Sequence, residues 1–206
     1  VTIEYTGHLA AEKKEFNDDD SPQEREETLR NMMKGRMSTA ELSDIKIENV
    51  TDPIKPFVYS FHVRVPGYAQ RTGKRLFLQP AFFEHGANPL FSASERNNEV
   101  YFHYPWSEED TIEITLPAGF TLDNPDAPGP FSAGSLSNYN VRIAVSKDGK
   151  LLVYNRKFFF GGSSGGGSTL RFPVKSYSPL KSYFDMLNKE DNHTITLKQA
   201  TATASN

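Results

Sequence analysis

The sequence predicts a mostly-β fold, namely an antiparallel β-sandwich, immunoglobulin-like or related, with two short peripheral helices. Short runs in which apolar and polar residues alternate recur along the chain, roughly ten residues apart. The aromatic content is high, with 15 Phe and 9 Tyr among 206 residues, and these side chains suit the half-buried surface of a pleated sheet. The dipeptide Asp148-Gly149 stands between two apolar runs and predicts a tight β-hairpin.

The strongest strand signal covers residues 57–65. We expect it to bury one face of a central strand, made of Phe57, Tyr59, Phe61, Val63 and Val65. Weaker alternation predicts further strands around residues 45–47, 76–78, 100–104, 112–116, 141–145, 151–153 and 195–197. Alternation also begins at Val1. We therefore expect residues 1–6 to join the edge of the main sheet or to pair with a second molecule, so strand-mediated self-association is a prediction.

Two segments have the apolar spacing of amphipathic helices. The first begins with a capping box, in which Ser21 is the N-cap, Pro22 takes the first helical position and the Glu24 side chain bonds to the Ser21 amide. This helix is expected to stop near Gly35. The second follows Pro179 and ends near residue 188, with an apolar stripe made of Leu180, Tyr183, Phe184 and Leu187. Residues 8–20 are expected to form a polar connection.

This pattern predicts three parts. Residues 1–37 form a strand and an amphipathic helix that link from an upstream domain, residues 38–199 form the sandwich domain with its C-terminal helix and last strand, and residues 200–206 form a disordered tail. The sequence begins with Val1 and has no signal sequence. We expect it to be a fragment of a longer polypeptide whose targeting signal lies upstream.

Composition argues against several classes of function. The chain has no cysteine, which removes disulfides, thiolate metal sites and thiol nucleophiles together. Its net charge is −3 with scattered cations, so nucleic acid is not an expected partner. No run approaches the roughly 20 apolar residues of a membrane span. The lack of cysteine suits a periplasmic or extracellular location, although a cytosolic protein can also lack it.

Catalytic and metal-binding motifs are not recognised. The five histidines form no HxH or HExxH pattern, and His62 and His103, which could face each other across strands, are better read as solvated strand residues. No Gly-x-Ser-x-Gly elbow is present, and the Gly/Ser-rich loop 161–168 lacks the ending of a phosphate-binding loop. The acidic runs 18–20, 108–110 and 123–126 do not have calcium-loop spacing. We predict no catalytic residue, cofactor or metal.

One pair of aromatic residues suggests a ligand. Trp106, the single tryptophan, follows Tyr104-Pro105 near a strand end, where rings on a β-sandwich can stack on sugars. Tyr104 and Trp106 are therefore candidate ligand-stacking residues, and a carbohydrate-binding module is the alternative function.

From residue 38 to residue 198 the order of features resembles a known family. The matching stretches are Pro56–Phe61, Val65–Ala69, Arg96, Val100–Pro105, Leu116–Phe120, Tyr177–Leu180, Phe184–Asp185, Asp191 and Thr194–Lys198. They resemble the C-terminal β-domain of unknown function found in bacterial secreted proteins with a transglutaminase-like, papain-like core. In that family an N-terminal β-domain of unknown function precedes the Cys-His-Asp core, and the C-terminal domain follows it.

The resemblance implies an accessory role. The catalytic cysteine of the family cannot lie in this chain, so no catalytic residue is carried over. The expected function is that of a non-catalytic domain that packs on or positions the upstream transglutaminase-like core of the same polypeptide in the cell envelope. An independent hydrolase is the least favoured alternative.

Overall fold

The computed structural model describes residues 1–124 and 126–200, and the chain divides into two compact units, Val1–Tyr68 and a second that begins at Ala69. The mostly-β prediction is confirmed: strands dominate, the sheets are antiparallel, and the arrangement agrees with a β-sandwich. Of the predicted tail, residues 201–206 lie outside the described part of the chain. Within the described part, no helix is long and apolar enough to cross a bilayer.

The first unit is a three-stranded sheet with two helices. Its elements are β1 (Thr2–Tyr5), α1 (Gly7–Asn17), α2 (Pro22–Arg36), β2 (Glu41–Glu48) and β3 (Phe57–Arg64), and the strand order is β1-β3-β2. The central position of β3 is confirmed. Phe57, Tyr59 and Phe61 are buried, whereas Val63, near the end of the strand, and Val65, beyond it, are half-buried, so the predicted buried face was drawn too long. The N-terminal strand joins this sheet by pairing with β3.

The predicted polar connection over residues 8–20 is wrong, because Gly7–Asn17 forms α1 and the helices number three among the described residues. The segment is rich in Ala, Glu and Lys, which favour helix intrinsically, but it buries only Ala10 and Asn17. Because so few of its residues are buried, the sequence of α1 shows almost no helical periodicity of apolar residues. The Arg25 side chain of α2 holds the end of α1, since its Nε donates to the Asn17 carbonyl at 2.6 Å.

The capping box of α2 is confirmed. The Glu24 amide donates to Ser21 Oγ at 3.3 Å, and the Ser21 amide donates to Glu24 Oε2 at 2.7 Å. The helix continues through Gly35 to Arg36. A glycine inside a helix costs up to about 1 kcal/mol relative to alanine, and the burial of Leu29 and Met33 on the same helix offsets this.

The second unit contains the remaining strands and one long helix. The strands are β4 (Gln70–Thr72), β5 (Arg75–Leu78), β6 (Val100–Tyr101), β7 (Trp106–Thr115), β8 (Phe120–Asn124), β9 (Phe131–Ser132), β10 (Ser137–Val145), β11 (Leu151–Phe160), β12 (Arg171–Phe172) and β13 (Ile195–Gln199). They form sheets of order β7-β11-β10-β9, β4-β5-β13-β8 and β12-β6. The helix is α3 (Tyr177–Asp191), preceded by a short 3-10 turn at Val174–Ser176.

The hairpin between β10 and β11 is confirmed. The whole of β10 pairs with residues 152–160 of β11, and Gly149 in the turn has a φ of 68°, the left-handed conformation that favours glycine. Every second residue of β11 is buried, namely Leu152, Tyr154, Arg156, Phe158 and Phe160. This face packs against α3: the ring of Phe184 lies 4.9 Å from Phe160 and 6.5 Å from Phe158.

Candidate functional site

Trp106, one of the two candidate stacking residues, lies at the first position of β7 and is half-buried in an aromatic cluster. Its ring stacks on Phe184 at 6.2 Å with an interplanar angle of 13°, and it lies 4.9 Å from Phe160. Tyr104 precedes β7 and is also half-buried. Because helix α3 already occupies one face of the indole, a sugar would have to use the other face or the ring edge. The ligand-stacking role of Tyr104 and Trp106 stays a prediction.

The two histidines considered for a metal do not lie in the same unit. His62 is on β3 of the first unit, and His103 follows β6 in the second, where its ring lies 5.5 Å from that of Tyr101. Within residues 1–124 and 126–200, no three His, Asp or Glu side chains are grouped as metal ligands. Asp123, from the candidate cation turn, instead accepts from Arg75 at 3.0 Å and lies 2.9 Å from the Lys198 ammonium, and these contacts hold its pKa below the usual range.

The most elaborate polar arrangement of the described residues surrounds Arg156. This residue lies in the middle of β11, the second strand of its sheet, and only 1% of it is exposed. Asp191, the last residue of α3, faces it and is 4% exposed. Arg156 Nε donates to Asp191 Oδ1 at 2.6 Å and Nη2 donates to Oδ2 at 2.8 Å, the bidentate geometry that makes arginine–carboxylate pairs strong. The pair ties the end of the helix to the sheet.

Three further carboxylates approach the same guanidinium. Arg156 Nη1 donates to Glu108 Oε2 at 2.8 Å and to Asp110 Oδ2 at 3.2 Å, and Glu84 Oε1 lies 4.0 Å away. Glu108 and Asp110 point inward from β7, which pairs with β11 so that Asp110 stands directly opposite Arg156. We call these five side chains the Arg156 cluster: Glu84, Glu108, Asp110, Arg156 and Asp191.

Neutral polar groups complete the surroundings of the buried pair. The Tyr139 hydroxyl donates to Asp191 Oδ1 at 3.0 Å, and the Gln79 amide donates to the Asp191 carbonyl at 2.7 Å. Gln79 Oε1 is 2.7 Å from His85 Nδ1. The Tyr154 hydroxyl is fully buried on the same face of β11 and has no hydrogen bond of ordinary geometry within the described part of the chain. Hydrogen bonds from three strands (β7, β10 and β11), from helix α3 and from Gln79 after β5 therefore hold the cluster in place.

The Arg156 cluster holds four carboxylates against one guanidinium. Burial lowers the pKa of Arg156, but the hydrogen bonds and the charge of Asp191 outweigh this, and its pKa lies above the ordinary arginine value. Burial raises the pKa of Asp110 above the usual aspartate value, against the opposing effect of Arg156, and Glu108 raises it further. Burial also raises the pKa of Asp191. Glu108, Asp110 and Asp191 alone place three carboxylates on one guanidinium, so these three acidic groups exceed the charge of Arg156.

The acidic excess lies toward the outside of the sheet. Exposure of the side chains rises from 5% at Asp191 to 16% at Asp110 and 37% at Glu108. Glu108 and Asp110 belong to β7, the terminal strand of its sheet. Among the described residues, β7 pairs with β11 on one side and with no strand on the other. A ten-residue strand therefore presents an open edge beside the cluster.

Sequence reasoning missed the Arg156 cluster, although its signal was present. Arg156 has the same phase as Tyr154 and Phe158, and this is the buried face of β11. Our prediction of the strand rested on Leu151 and Val153, which belong to the opposite, half-buried face, so the phase was wrong. Glu108 and Asp110 likewise share the phase of Ile112. We interpreted the acidic run 108–110 as a failed calcium motif. The inward phase of charged residues on two neighbouring strands was the better guide, because buried charges are almost always paired.

Comparison with known proteins finds one family match. A family model described as "Domain of Unknown Function with solved-structure structure" (DUF3858) matches residues 74–197, which is more than half of the chain. No curated protein and no solved structure matches the sequence. The matched region lies within the second unit and includes both β7 and the whole Arg156 cluster.

Proposed function

The chain belongs to the DUF3858 family of domains of unknown function, and from this premise we propose that it is a non-catalytic interaction domain of a larger, secreted, transglutaminase-like protein. In this proposal the domain packs on, or positions, the upstream core of the same polypeptide in the periplasm or outside the cell. The open edge of β7 is the observation that carries the proposal.

The unpaired backbone groups along a ten-residue edge can bind another strand. Along such an edge, alternate backbone N–H and C=O groups point away from the sheet and can pair with another strand. Proteins usually protect edges by making them short or by covering them. At ten residues β7 is long for an edge, and the described residues provide no strand that covers it. A partner strand from elsewhere satisfies these groups, which is the recognition mode of many peptide-binding domains.

The Arg156 cluster supports a structural rather than a catalytic reading of the buried charges. A general acid or base needs a partner within hydrogen-bond reach in a place that substrate can enter. In the cluster, the guanidinium bonds to Asp191, Glu108 and Asp110, and Asp191 also accepts from Tyr139. These hydrogen bonds join α3, β11, β7 and β10. Such a network fixes the position of β7 relative to β11 and α3.

The proposal is tested by binding in trans. The 206-residue chain and the remainder of the polypeptide encoded by the same gene are purified separately and mixed in a calorimeter. We expect a saturable one-to-one complex, and we expect the amide protons of residues 106–115 to exchange more slowly in it. Heat-denatured chain is the control. Absence of binding at micromolar concentrations refutes the proposal.

Two activity assays complete the test. The isolated chain is incubated with ester, peptide and glutamine-donor substrates, and it is applied to a panel of immobilised glycans. We expect no turnover above that of the heat-denatured chain, and we expect none of the immobilised glycans to retain the chain. Turnover abolished by a single Ser or His substitution contradicts the non-catalytic role. Glycan binding lost in Trp106→Ala favours the carbohydrate-binding alternative instead.

A further inference from the structure

We infer that the partner of β7 is an extended segment that places two basic side chains, Lys or Arg, inward opposite Asp110 and Glu108, and apolar side chains opposite Ile112 and Ile114. This inference rests on the proposed function, and it specifies the chemistry of the strand that binds. It is argued from the uneven burial of two neighbouring strands and from the charge of the Arg156 cluster.

Burial along β7 is incomplete on the face that points to the core. The inward residues of the neighbouring strand β11 are buried, including Tyr154, Arg156 and Phe158. Their direct partners on β7 are Ile112, Asp110 and Glu108, and each of these is only half-buried. The same holds for Trp106 and Ile114 at the two ends of the strand. One further strand on this edge would cover the apolar side chains and extend the core by its own width of about 4.8 Å.

The charge of the cluster fixes what the covering strand must carry. Three carboxylates, those of Glu108, Asp110 and Asp191, share the Arg156 guanidinium, and the pKa of Asp110 is already raised by burial. Covering Glu108 and Asp110 with an apolar strand would bury this excess further and is unfavourable. A Lys or Arg on the incoming strand supplies the missing positive charge at close range. The inward residues of β7 are, in order, Trp106, Glu108, Asp110, Ile112 and Ile114. The residues of the partner that lie opposite them are therefore, in the same order, apolar, basic, basic, apolar and apolar.

The same edge of a second copy does not supply the required cations, because β7 has no Lys or Arg, and two of its registers are directly unfavourable. An antiparallel register centred on Asp110 places the two Asp110 carboxylates opposite each other. A register centred on Thr111 places Glu109 opposite Glu113. Like charges directly opposite each other destabilise a strand pair, and the chain as a whole carries a net charge of −3.

The experiment uses two synthetic peptides and three forms of the chain. The first peptide, Val-Thr-Val-Thr-Arg-Thr-Lys-Thr-Val, is the antiparallel complement of residues 106–114, and the second has Gln in place of Arg and Lys. Both are capped and labelled with fluorescein. Binding is measured by anisotropy to the natural chain, to the double variant Glu108→Gln/Asp110→Asn, and to Glu113→Gln as a matched control. Glu113 lies on the same strand but on the exposed outer face, so its charge should not matter.

We expect the basic peptide to bind the natural chain and the Glu113→Gln variant with similar affinity. The Gln peptide, and the double variant with the basic peptide, should each bind roughly tenfold more weakly, because two cross-strand charge pairs are lost. Hydrogen exchange of residues 106–115 should slow when the basic peptide is bound. Equal affinity of the two peptides, or a chain that dimerises through β7 by light scattering, overturns the inference.

The proposed function can fail independently of this inference. If the remainder of the polypeptide binds the double variant as tightly as the natural chain, the domain is an interaction domain but its partner is not basic, and the inference alone is wrong. If the remainder does not bind while the basic peptide does, the edge recognises a basic strand from another protein, and the role within the same polypeptide is wrong.

Discussion

Replacement of Arg156 by Met is the most informative single change, because the Arg156 cluster holds β7, β11 and α3 together. Methionine approximates the length of the arginine stem but has no charge and no N–H donor. The variant loses the bidentate contact with Asp191 at 2.6 and 2.8 Å and the 2.8 Å contact with Glu108. Asp191 then remains buried at 4% exposure without a cation.

The loss of stability in Arg156→Met is set mainly by Asp191, which remains buried without its cation. Removing one member of a buried ion pair costs about 3–5 kcal/mol, since the other charge stays desolvated and unpaired. A domain of this kind has about 5–15 kcal/mol of total stability, so the variant should remain folded at low temperature but be close to its limit. With a urea dependence of about 2 kcal/mol per molar, the unfolding midpoint should fall by roughly 2 M.

Urea unfolding followed by tryptophan fluorescence measures this directly. Trp106 is the single tryptophan and packs against Phe160 and Phe184 of the same unit, so its emission reports on the second unit. Arg142→Met is the matched control: Arg142 is exposed on the neighbouring strand β10, and it should lose less than about 0.5 kcal/mol.

A double variant distinguishes charge from packing. Arg156→Met combined with Asp191→Leu removes the orphaned carboxylate as well, and it should recover much of the loss because apolar replacement of a whole buried pair is often neutral. A loss below about 1 kcal/mol in Arg156→Met, or a double variant as unstable as the sum of its parts, would refute the view that the cluster depends on this guanidinium.

Three further predictions test other parts of the structure. Phe61→Ala on β3 should cost about 3–5 kcal/mol by circular dichroism, through lost burial and a cavity, and a loss below about 1 kcal/mol contradicts the assigned core face. Burial raises the folded pKa of Asp110, so the folded state binds this proton more tightly, and stability falls as pH rises from about 4 through the folded pKa. Asp110→Asn should therefore raise the thermal midpoint by a few degrees at pH 7, and the gain should vanish near pH 3; a gain that is the same at both pH values contradicts this. Gly162→Ala places a methyl group 2.2 Å from the Ser135 carbonyl and should cost about 1–3 kcal/mol, whereas Gly165→Ala, with open space around it, should be nearly neutral.

The sequence predicted those parts of the fold in which periodicity and local chemistry agree. Strand β3 was identified from the alternation of Phe57, Tyr59 and Phe61, and the start of α2 from the capping-box spacing of Ser21, Pro22 and Glu24. Helix α1 was missed because it buries too little to leave an apolar period, and its helix-forming composition was given no weight. The strand predicted around residues 100–104 is limited to the two residues of β6, although the Phe102 amide still donates to the Leu170 carbonyl at 2.9 Å.

The candidate site was less predictable than the fold for a physical reason. Arg156 and Asp191 are 35 positions apart and on different kinds of element, so no local motif connects them. Only the pairing of β7 with β11, in a register that sets Asp110 opposite Arg156, brings the charges together. The alternation of apolar and polar residues can show that a charged side chain faces inward, but it cannot show which opposite charge that side chain pairs with. The open edge of β7 follows from the order of strands in the sheet, which short-range patterns do not encode.

Amide hydrogen exchange at residues 106–115, compared between the isolated chain and the larger protein that we propose contains it, tests the central claim most directly. If β7 is an edge that another segment covers, its amides on the open side should exchange much faster than those of β11 in the isolated chain, and they should be protected in the larger protein. Equal and fast exchange of β7 in both would contradict the proposed interaction domain, and so would protection of β7 in the isolated chain equal to that of β11.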